Sequence, residues 1–228
     1  MATIKPIAYI KTDFKEKFGI PRQSMRAATE GIIVFEPEYR IKEALRGIED
    51  YNYLWLIFDF SLSHKDGFSP TVRPPRLGGN KRVGVFATRS YNRPNFLGLS
   101  SVKLLEVINT QNDGMVLKVG GADLLDGTPI YDIKPYIPYC DCHVDAVAGF
   151  AEKEKNHKLT VIDDNNLLTI IPEDKRKGLI ECLADDPRPG YKLDKEQIFS
   201  MLFSSFDISF KVYNDKLFIT KIINNNGT

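Results

Sequence analysis

The residues best suited to chemistry lie in an arginine-rich segment from Thr71 to Gly98. Between Gly67 and Leu105 the sequence has no Asp or Glu, although the whole chain balances 31 Lys and Arg against 30 Asp and Glu. The basic residues of this acid-free stretch are Arg73, Arg76, Lys81, Arg82, Arg89, Arg93 and Lys103. Because guanidinium groups match the geometry of phosphates and carboxylates, the segment predicts a binding site for a polyanion, with RNA as the first candidate.

The backbone around these arginines is shaped by proline and glycine. Pro74-Pro75 and Arg93-Pro94-Asn95 restrict the chain, whereas Gly78-Gly79 permits unusual dihedral angles. The alternative is a solvated basic face, which is usual for lysines on a helix. Arginines on shaped loops favour anion recognition instead, with Tyr91 predicted to stack a base and Phe86 predicted to lie in the core.

A second polar cluster is the stretch from Gly120 to Pro129, which contains Asp126-Gly127. Asp-Gly favours a tight turn that presents backbone groups beside a carboxylate. From the residues alone, a purely structural turn is the preferred interpretation.

Several classes of site lack support in the sequence. The three cysteines do not form a disulfide framework. Cys140 and Cys142 are expected to share one face of a strand, with only Cys182 and scattered histidines as further ligands, so no metal site is predicted. The motifs of Rossmann cofactor binding, P-loop hydrolysis and the α/β-hydrolase nucleophile are missing from the sequence.

The composition describes a globular protein. The chain has 228 residues, of which 43% are hydrophobic, and its formal net charge is +1, so it is not a nonspecific polycation. No window reaches the roughly 18 apolar residues that a membrane span requires, and the N-terminus does not read as a signal peptide. We therefore expect a cytoplasmic protein without a membrane partner.

Short strands dominate the first two thirds of the chain. Alternation of apolar and polar residues and the intervening turn residues predict strands over 4–10, 31–35, 53–62, 83–88, 97–108, 115–119 and 130–133. Helical spacing from Pro37 to Tyr51 predicts one short helix, and Trp55 is expected in the core. So many strands with little helix indicate a barrel or a sandwich.

The pattern changes after Gly149. Residues 167–171 read as a strand, residues 173–184 as a helix, and 206–213 with 216–223 as a hairpin around Asn214-Asp215. We therefore expect two domains, spanning 1–145 and 146–228, with residues 224–228 frayed.

Taken together, these motifs resemble the TsaA-like (YaeB, TrmO) family over most of the chain and in the same order. The first loop contributes Pro21-Arg22-Gln23, and the second domain contributes Asp186-Pro187-Arg188-Pro189. The main matching stretches are the Trp55 strand, 70–80 (PTVRPPRLGGN), 84–90 (GVFATRS), 93–95 (RPN), 126–129 (DGTP) and 132–136 (DIKPY).

The resemblance implies an enzyme. Members of this family are S-adenosylmethionine-dependent tRNA methyltransferases that act on N6 of threonylcarbamoyladenosine at anticodon-loop position 37. The implied fold is mainly β, with a single-sheet β-barrel N-terminal domain and a smaller α+β C-terminal domain. The implied assembly is a homodimer that binds tRNA rather than DNA. A non-catalytic RNA-binding module, or a methyltransferase of the same fold with another substrate, remains an alternative.

The resemblance also implies roles for particular residues. The expected contacts to S-adenosylmethionine are Pro21, Arg22, Gln23, Ser61, Leu62, Arg89, Leu99, Leu125, Asp126, Gly127 and Thr128. The hypothesised contacts to RNA or substrate are Arg73, Arg76, Lys81, Tyr91, Arg93 and Asn95. Because N6 is conjugated to a urea carbonyl it is a poor nucleophile, and a proton acceptor is expected. The candidates for that acceptor are Asp126, Asp132 and Tyr136.

Two positions depart from the family pattern. Family members commonly continue Arg-Pro-Asn with Pro-Ile-Gly, whereas this chain has Phe96-Leu97-Gly98. A family histidine after the Trp55 strand corresponds to Ser61 here, and His64, three residues on, is a candidate substitute.

Overall fold

Strands of alternating burial make up most of the protein. The computed structural model describes residues 3–74, 77, 81–154, 156–188 and 197–225. The strands are β1 (Ala8–Thr12), β2 (Glu30–Phe35), β3 (Tyr53–Asp59), β4 (Thr71–Val72), β5 (Val83–Gly84), β6 (Leu97–Thr110), β7 (Gly114–Gly120), β8 (Thr128–Pro135), β9 (Thr160–Ile162), β10 (Phe199–Phe203), β11 (Phe206–Tyr213) and β12 (Lys216–Asn224). The α-helices are α1 (Pro138–Asp141) and α2 (Glu173–Ala184). Short 3-10 helices include Pro37–Tyr39, Lys42–Leu45, Ile48–Asp50, Ser61–Ser63, Val85–Ala87, Gly149–Glu154 and Leu167–Ile170.

The N-terminal sheet is a closed barrel in the order β1-β2-β7-β6-β3-β8, and all of its neighbouring strands are antiparallel. Side chains of a strand alternate between the inside and the outside, so every second residue fills the barrel. In β3, for example, Leu54 and Leu56 are fully buried. The predicted β-barrel is thus confirmed.

The C-terminal region forms a separate sheet in the order β10-β11-β12-β9, in which β9 runs parallel to β12. The turn between β11 and β12 holds Asn214 and Asp215 at φ values of 46° and 56°, as a two-residue hairpin turn requires. Helix α2 covers this sheet with Leu179 and Leu183, both fully buried. The predicted hairpin and helix are confirmed, and the domain boundary at residue 146 stays a prediction.

The long loop between β1 and β2 packs against the C-terminal sheet. Phe14 and Ala27 of this loop belong to the same buried cluster as α2 and β10 to β12. At Gly19, with φ of 92°, a Cβ atom would collide with the side chain of Met201 in β10. The loop therefore has glycine at the point where it touches the second domain. Packing against the second domain fixes the conformation of the loop.

Some predictions about local structure were wrong. Residues 37–51 form separate 3-10 turns rather than one helix, because Ile41 is extended and Gly47 adopts a φ of 86°. The strand predicted over 83–88 ends at Gly84 and continues as a 3-10 turn, which leaves Phe86 72% exposed rather than in the core. Trp55 is half-buried on the outside of the barrel, where its Nε1 donates to Asp141 Oδ2 at 2.9 Å.

Further corrections concern the second half of the chain. Cys140 lies in α1 with Cys142 just after it, so they do not share a strand face, and both are exposed. Within the described ranges no cluster of His, Cys, Asp and Glu could hold a metal ion. Residues 167–170 form a 3-10 turn, and strands β9 and β10 were not predicted. No helix in the described part of the chain is long and apolar enough to cross a membrane.

Candidate active site

A cleft opens at one end of the barrel. Because neighbouring strands are antiparallel, the end of β3 meets the starts of β6 and β8, and the end of β1 lies beside β8. The loops that leave these ends enclose a cavity of about 480 Å³. Its walls are Lys17, residues 20–23, 58–63, Thr88, Arg89, Tyr91, Arg93, residues 97–100, 123–125 and Thr128.

Most of the predicted cofactor contacts converge on this cleft. The predicted residues that line it are Pro21, Arg22, Gln23, Ser61, Leu62, Arg89, Leu99, Leu125 and Thr128. The volume lies within the roughly 300–1,000 Å³ of small-molecule sites, and the walls combine apolar side chains with a few charged groups. The cleft therefore fits a nucleoside-sized cofactor such as S-adenosylmethionine.

Asp126 and Gly127 lie behind the cleft rather than in its lining. Asp126 Oδ1 accepts a hydrogen bond from the backbone amide of Thr12 at 2.8 Å, and Oδ2 pairs with Lys15 Nζ at 2.7 Å. Gly127 has a φ of 75°, and its amide donates to the Ile10 carbonyl at 2.8 Å. Both residues tie the turn to β1, and their predicted contact with a cofactor stays a prediction.

The first loop and the arginine-rich segment meet directly at the cleft. Arg89 Nη1 donates a hydrogen bond of 2.6 Å to Gln23 Oε1. Across the cleft, Lys17 Nζ donates to the Leu62 carbonyl at 2.7 Å and to Ser63 Oγ at 2.9 Å. Its ammonium also lies 5.5 Å from the centre of the Tyr91 ring. These contacts link three loops around one cavity, and Lys17 was not predicted.

The second domain holds the loop that contains Arg22 and Arg26 from behind. Arg22 Nη2 donates to the Arg188 carbonyl at 2.7 Å, and Arg26 pairs with the buried Asp185. Arg188 Nε in turn donates to Asp186 Oδ1 at 2.8 Å. Burial alone would favour the protonated acid, but the Arg188 side chain, with His157, holds the pKa of Asp186 below its ordinary value. The loop thus rests on charged groups of the second domain.

Asp123 is a cleft residue that the sequence reasoning missed. Its Oδ1 is buried and has no hydrogen-bond partner in the described part of the chain. Burial raises the pKa of Asp123, although Ser100, the backbone amides of Asp123 and Ser24, and the charge of Arg89 act in the opposite direction. It lies in the second polar cluster of the sequence, the Gly120 to Pro129 stretch, between Ala122 and Leu124, which are both 1% exposed in the structure.

Asp59, the other carboxylate in the described lining of the cleft, is already engaged. His64 Nε2 lies 2.7 Å from Asp59 Oδ1, and the His64 ring packs 4.6 Å from that of Phe96. Burial raises the pKa of Tyr131, and the charge and hydrogen bond of Asp59 add to the effect. His64 itself does not line the cleft, whereas Ser61 and Leu62 do, so it supports the wall through Asp59.

A basic groove of about 720 Å³ adjoins the cleft. The two share Arg22, Gln23, Phe60, Thr88, Arg89 and Tyr91. The cations that line the groove are Arg22, Arg26, Lys65, Arg73, Arg82 and Arg89. No Asp or Glu is present in the described part of its lining. The groove therefore presents positive charge that is continuous with the cleft.

The predicted RNA contacts are distributed unevenly around this groove. Arg73 and Tyr91 line it, whereas Lys81 and Asn95 are exposed outside its lining. Arg93 lines the cleft instead, where it donates to the Thr88 carbonyl at 2.7 Å and lies 5.8 Å from the Phe86 ring. Arg76, along with the neighbouring residues 75 and 78–80, lies outside the described residues.

Two of the candidate proton acceptors lie away from the cleft. Asp132 Oδ1 accepts from the Ile133 amide at 2.9 Å, and Oδ2 pairs with Lys134 at 3.0 Å. Tyr136 packs 5.5 Å from Trp55 on the outside of the barrel, and burial there raises the pKa of its hydroxyl. Neither residue lines the cleft, so the geometry gives neither of them a route to a bound substrate.

Comparisons with known proteins agree with this geometry. The tRNA-methyltransferase O N-terminal domain matches residues 9–142, and the TrmO C-terminal domain matches residues 170–225. A tRNA (adenine(37)-N6)-methyltransferase of Escherichia coli (strain K12) is 40% identical over 216 residues, which cover 90% of this chain and 91% of that protein. A Pseudomonas aeruginosa protein, provisionally named an S-adenosylmethionine-dependent methyltransferase, is 41% identical over 202 residues, or 83% of each chain.

A solved structure is similar over nearly the whole chain. The crystal structure of TrmO from Pseudomonas aeruginosa matches with a TM-score of 0.78 and 30% sequence identity, covering 98% of this chain and 100% of that one. The resemblance seen in the motifs extends to both domains and to their fold. The chain belongs to the tRNA-methyltransferase O family, the TsaA-like family of the sequence motifs.

Proposed function

We propose that this protein transfers a methyl group from S-adenosylmethionine to N6 of threonylcarbamoyladenosine at position 37 of tRNA. Family membership and the names of the relatives support the enzyme class, the methyl donor, and adenine 37 of tRNA as the target. The observation that carries the proposal is the continuity of a cofactor-sized cleft with a groove that is lined by cations.

The cleft offers distinct groups to the different parts of the cofactor. When bound, S-adenosylmethionine supplies a methyl group made electrophilic by its sulfonium. Leu62, Leu99 and Leu125 provide apolar surface, and Gln23 and Arg89 provide polar contacts beside it. We assign these residues, with Pro21, Arg22, Ser61 and Thr128, to cofactor binding.

The enzyme's main task is to align N6 with the methyl group and to exclude water, because the electrophile is already activated. Tyr91 and Phe60 stand where the cleft meets the groove, with their rings 6.3 Å apart. The exposed Tyr91 ring can stack on a flipped adenine, since bases stack on aromatic rings at little geometric cost. This arrangement directs the base of the substrate from the groove into the cleft.

The basic groove suits an anionic substrate in two ways. Phosphates of the anticodon loop and the carboxylate of the threonyl group are both ligands for arginine. Arg73, Arg82 and Lys65 lie along the groove, whereas Arg89 lies where it joins the cleft. We assign the outer cations to phosphates and Arg89 to the region where the methyl donor and the modified base meet.

We also infer that two chains associate. The segment after α1 exposes apolar side chains, with Val144 97% exposed and Val147 92% exposed, next to Tyr139 at 88%. Exposed apolar groups of this density are typical of an interaction surface. A Val144→Asp variant should shift the mass measured by light scattering from a dimer toward a monomer, and a monomeric wild-type protein would refute the inference.

The substrate proposal is tested with two matched tRNAs, one carrying threonylcarbamoyladenosine and one carrying plain adenosine at the same position. Each is incubated with the purified protein and S-adenosylmethionine that bears an isotopically labelled methyl group, and its nucleosides are analysed by mass spectrometry. We expect label only in the threonylcarbamoyl nucleoside. Equal labelling of both tRNAs would support a tRNA methyltransferase but would refute threonylcarbamoyladenosine as its specific substrate.

A further inference from the structure

We propose that the Asp123 carboxylate is a catalytic residue that accepts the N6 proton of the substrate during methyl transfer. This inference rests on the proposed function, because it assigns a step of that reaction. It concerns a residue that lies in the cleft, outside the cofactor contacts assigned above.

The position of Asp123 is the first observation. It follows β7 and forms part of the cleft wall together with Leu125 and Ser100. Ala122 and Leu124 on either side are both buried in the barrel core, which fixes the backbone of this segment. Asp123 is therefore held in the cleft wall by rigid packing, as a proton acceptor requires.

The other carboxylates near the cleft are occupied. Asp59 bonds to His64, and Asp126 bonds to the Thr12 amide and Lys15 behind the wall. Asp132 pairs with Lys134 outside the cleft. Asp123 differs because its Oδ1 has no partner within the described ranges. A carboxylate with an unsatisfied oxygen is less stabilised in its charged form and is therefore the stronger base.

The electrostatic surroundings agree with this role. Burial raises the pKa of Asp123, while the charge of Arg89 and the hydrogen bonds from Ser100 and from the amides of Asp123 and Ser24 limit the rise. A general base works best when its pKa approaches the working pH. The site thus makes Asp123 a stronger base than an exposed aspartate.

The proposed methyl transfer needs no reactant besides the two substrates and the Asp123 carboxylate. The N6 lone pair forms a bond to the methyl carbon, and the bond from that carbon to sulfur breaks with its electron pair left on sulfur. The N6 proton passes to the Asp123 carboxylate and leaves to solvent after product release. Loss of this proton makes N6 more nucleophilic and so offsets the withdrawal of electron density by the urea carbonyl.

The test uses Asp123→Asn, which keeps the size of the side chain but removes the basic oxygen. Single-turnover methyl transfer is measured with saturating tRNA and S-adenosylmethionine, and the Kd of S-adenosylmethionine is measured by calorimetry. We expect the rate to fall about 100-fold or more, with the Kd unchanged within about twofold. Asp113→Asn, in the β6–β7 turn at the opposite end of the barrel, serves as the control with an unchanged rate.

The pH profile gives a second readout. In the wild type the rate should fall on the acid side as Asp123 becomes protonated, and this limb should be missing in Asp123→Asn. Asp123→Glu, which restores a carboxylate, should recover part of the rate and the limb. The assignment would be overturned if Asp123→Asn kept the wild-type rate. It would also be overturned if the variant bound S-adenosylmethionine more weakly but reached the wild-type rate at saturating cofactor. Failure of the wild type to methylate tRNA would instead refute the proposed function itself.

Discussion

Arg89 donates a hydrogen bond of 2.6 Å to Gln23, and this contact closes the cleft between two segments that are 66 residues apart in sequence. Gln23 lies on a loop that the second domain holds, whereas Arg89 lies in the acid-free segment that lines the basic groove. One guanidinium therefore lies between the proposed cofactor site and the proposed tRNA site. Its identity as arginine should matter to both.

Replacing Arg89 with Lys tests this contact. Lysine keeps the charge but loses the planar fork, so we expect the Kd of S-adenosylmethionine to rise about tenfold, which corresponds to roughly 1.4 kcal/mol. Calorimetry on the free protein measures this without tRNA. Arg46→Lys, outside the lining of both cavities, is the matched control and should bind like the wild type. An unchanged Kd in Arg89→Lys would show that Arg89 does not contribute to the binding of S-adenosylmethionine.

The ion pair between Arg26 of the first loop and Asp185 of the second domain gives a second prediction. Asp185 is 3% exposed in its ion pair with Arg26, and removal of one partner leaves the other charge without compensation. Asp185→Ala should lower the free energy of unfolding by about 3 kcal/mol. It should also weaken S-adenosylmethionine binding, because the loop with Pro21 and Gln23 loses its support.

Urea unfolding and calorimetry measure the two effects separately. Asp207→Ala, a partly exposed position on β11, is the control and should change stability by less than about 1 kcal/mol. If Asp185→Ala unfolds at a lower urea concentration than the wild type but binds S-adenosylmethionine normally, the second domain does not support the cofactor site.

Salt dependence tests the basic groove. Each phosphate contact adds close to one unit to the slope of log K against log salt concentration. Arg73→Gln and Arg82→Gln should each reduce the slope for tRNA binding by about one, whereas Arg40→Gln, outside the groove lining, should not. A filter-binding titration over a series of salt concentrations measures the slopes. Identical slopes in all these variants would place the tRNA on another surface.

Stability should depend on pH through Asp123. Burial raises its pKa in the folded protein above the value in the unfolded chain. As the pH rises between these two values, the unfolded chain loses its proton first, so the free energy of unfolding falls. At neutral pH this group therefore makes the free energy of unfolding lower than it is below the ordinary pKa of aspartate.

The Asp123→Asn variant should therefore unfold at a higher temperature than the wild type at pH 7, although it is expected to lose activity. The difference should shrink as the pH falls toward the ordinary pKa of aspartate. Calorimetric melting of both proteins across this pH range measures it. A variant that is less stable at pH 7 would show that Asp123 has a structural role.

Predicted cofactor residues that are far apart in the sequence line one cleft in the structure, whereas parts of the local structure were predicted wrongly. Pro21, Arg89 and Thr128 converge because antiparallel strands bring their loops to one end of the barrel, and this follows once the strands are known. The separate turns of residues 37–51 were not predictable from apolar spacing, since the extended backbone at Ile41 breaks the helix. Helical periodicity alone does not distinguish one helix from several short turns.

The role of the second domain required the structure. Phe14 and Ala27 read as ordinary apolar residues of a loop, and only the packing shows that they enter the core of the other domain. Asp126 stands in a family motif, yet its carboxylate binds Thr12 and Lys15 behind the cleft. Asp123, which carries no motif, lies in the cleft wall because long-range packing places it there.

We expect this chain to methylate tRNA at N6 of the modified adenosine. The most direct measurement is mass spectrometry of nucleosides from tRNA that was incubated with the purified protein and methyl-labelled S-adenosylmethionine. We expect label on N6 of threonylcarbamoyladenosine and much less label with the Asp123→Asn variant. Unlabelled tRNA after incubation with a folded wild-type protein that binds the cofactor would contradict it.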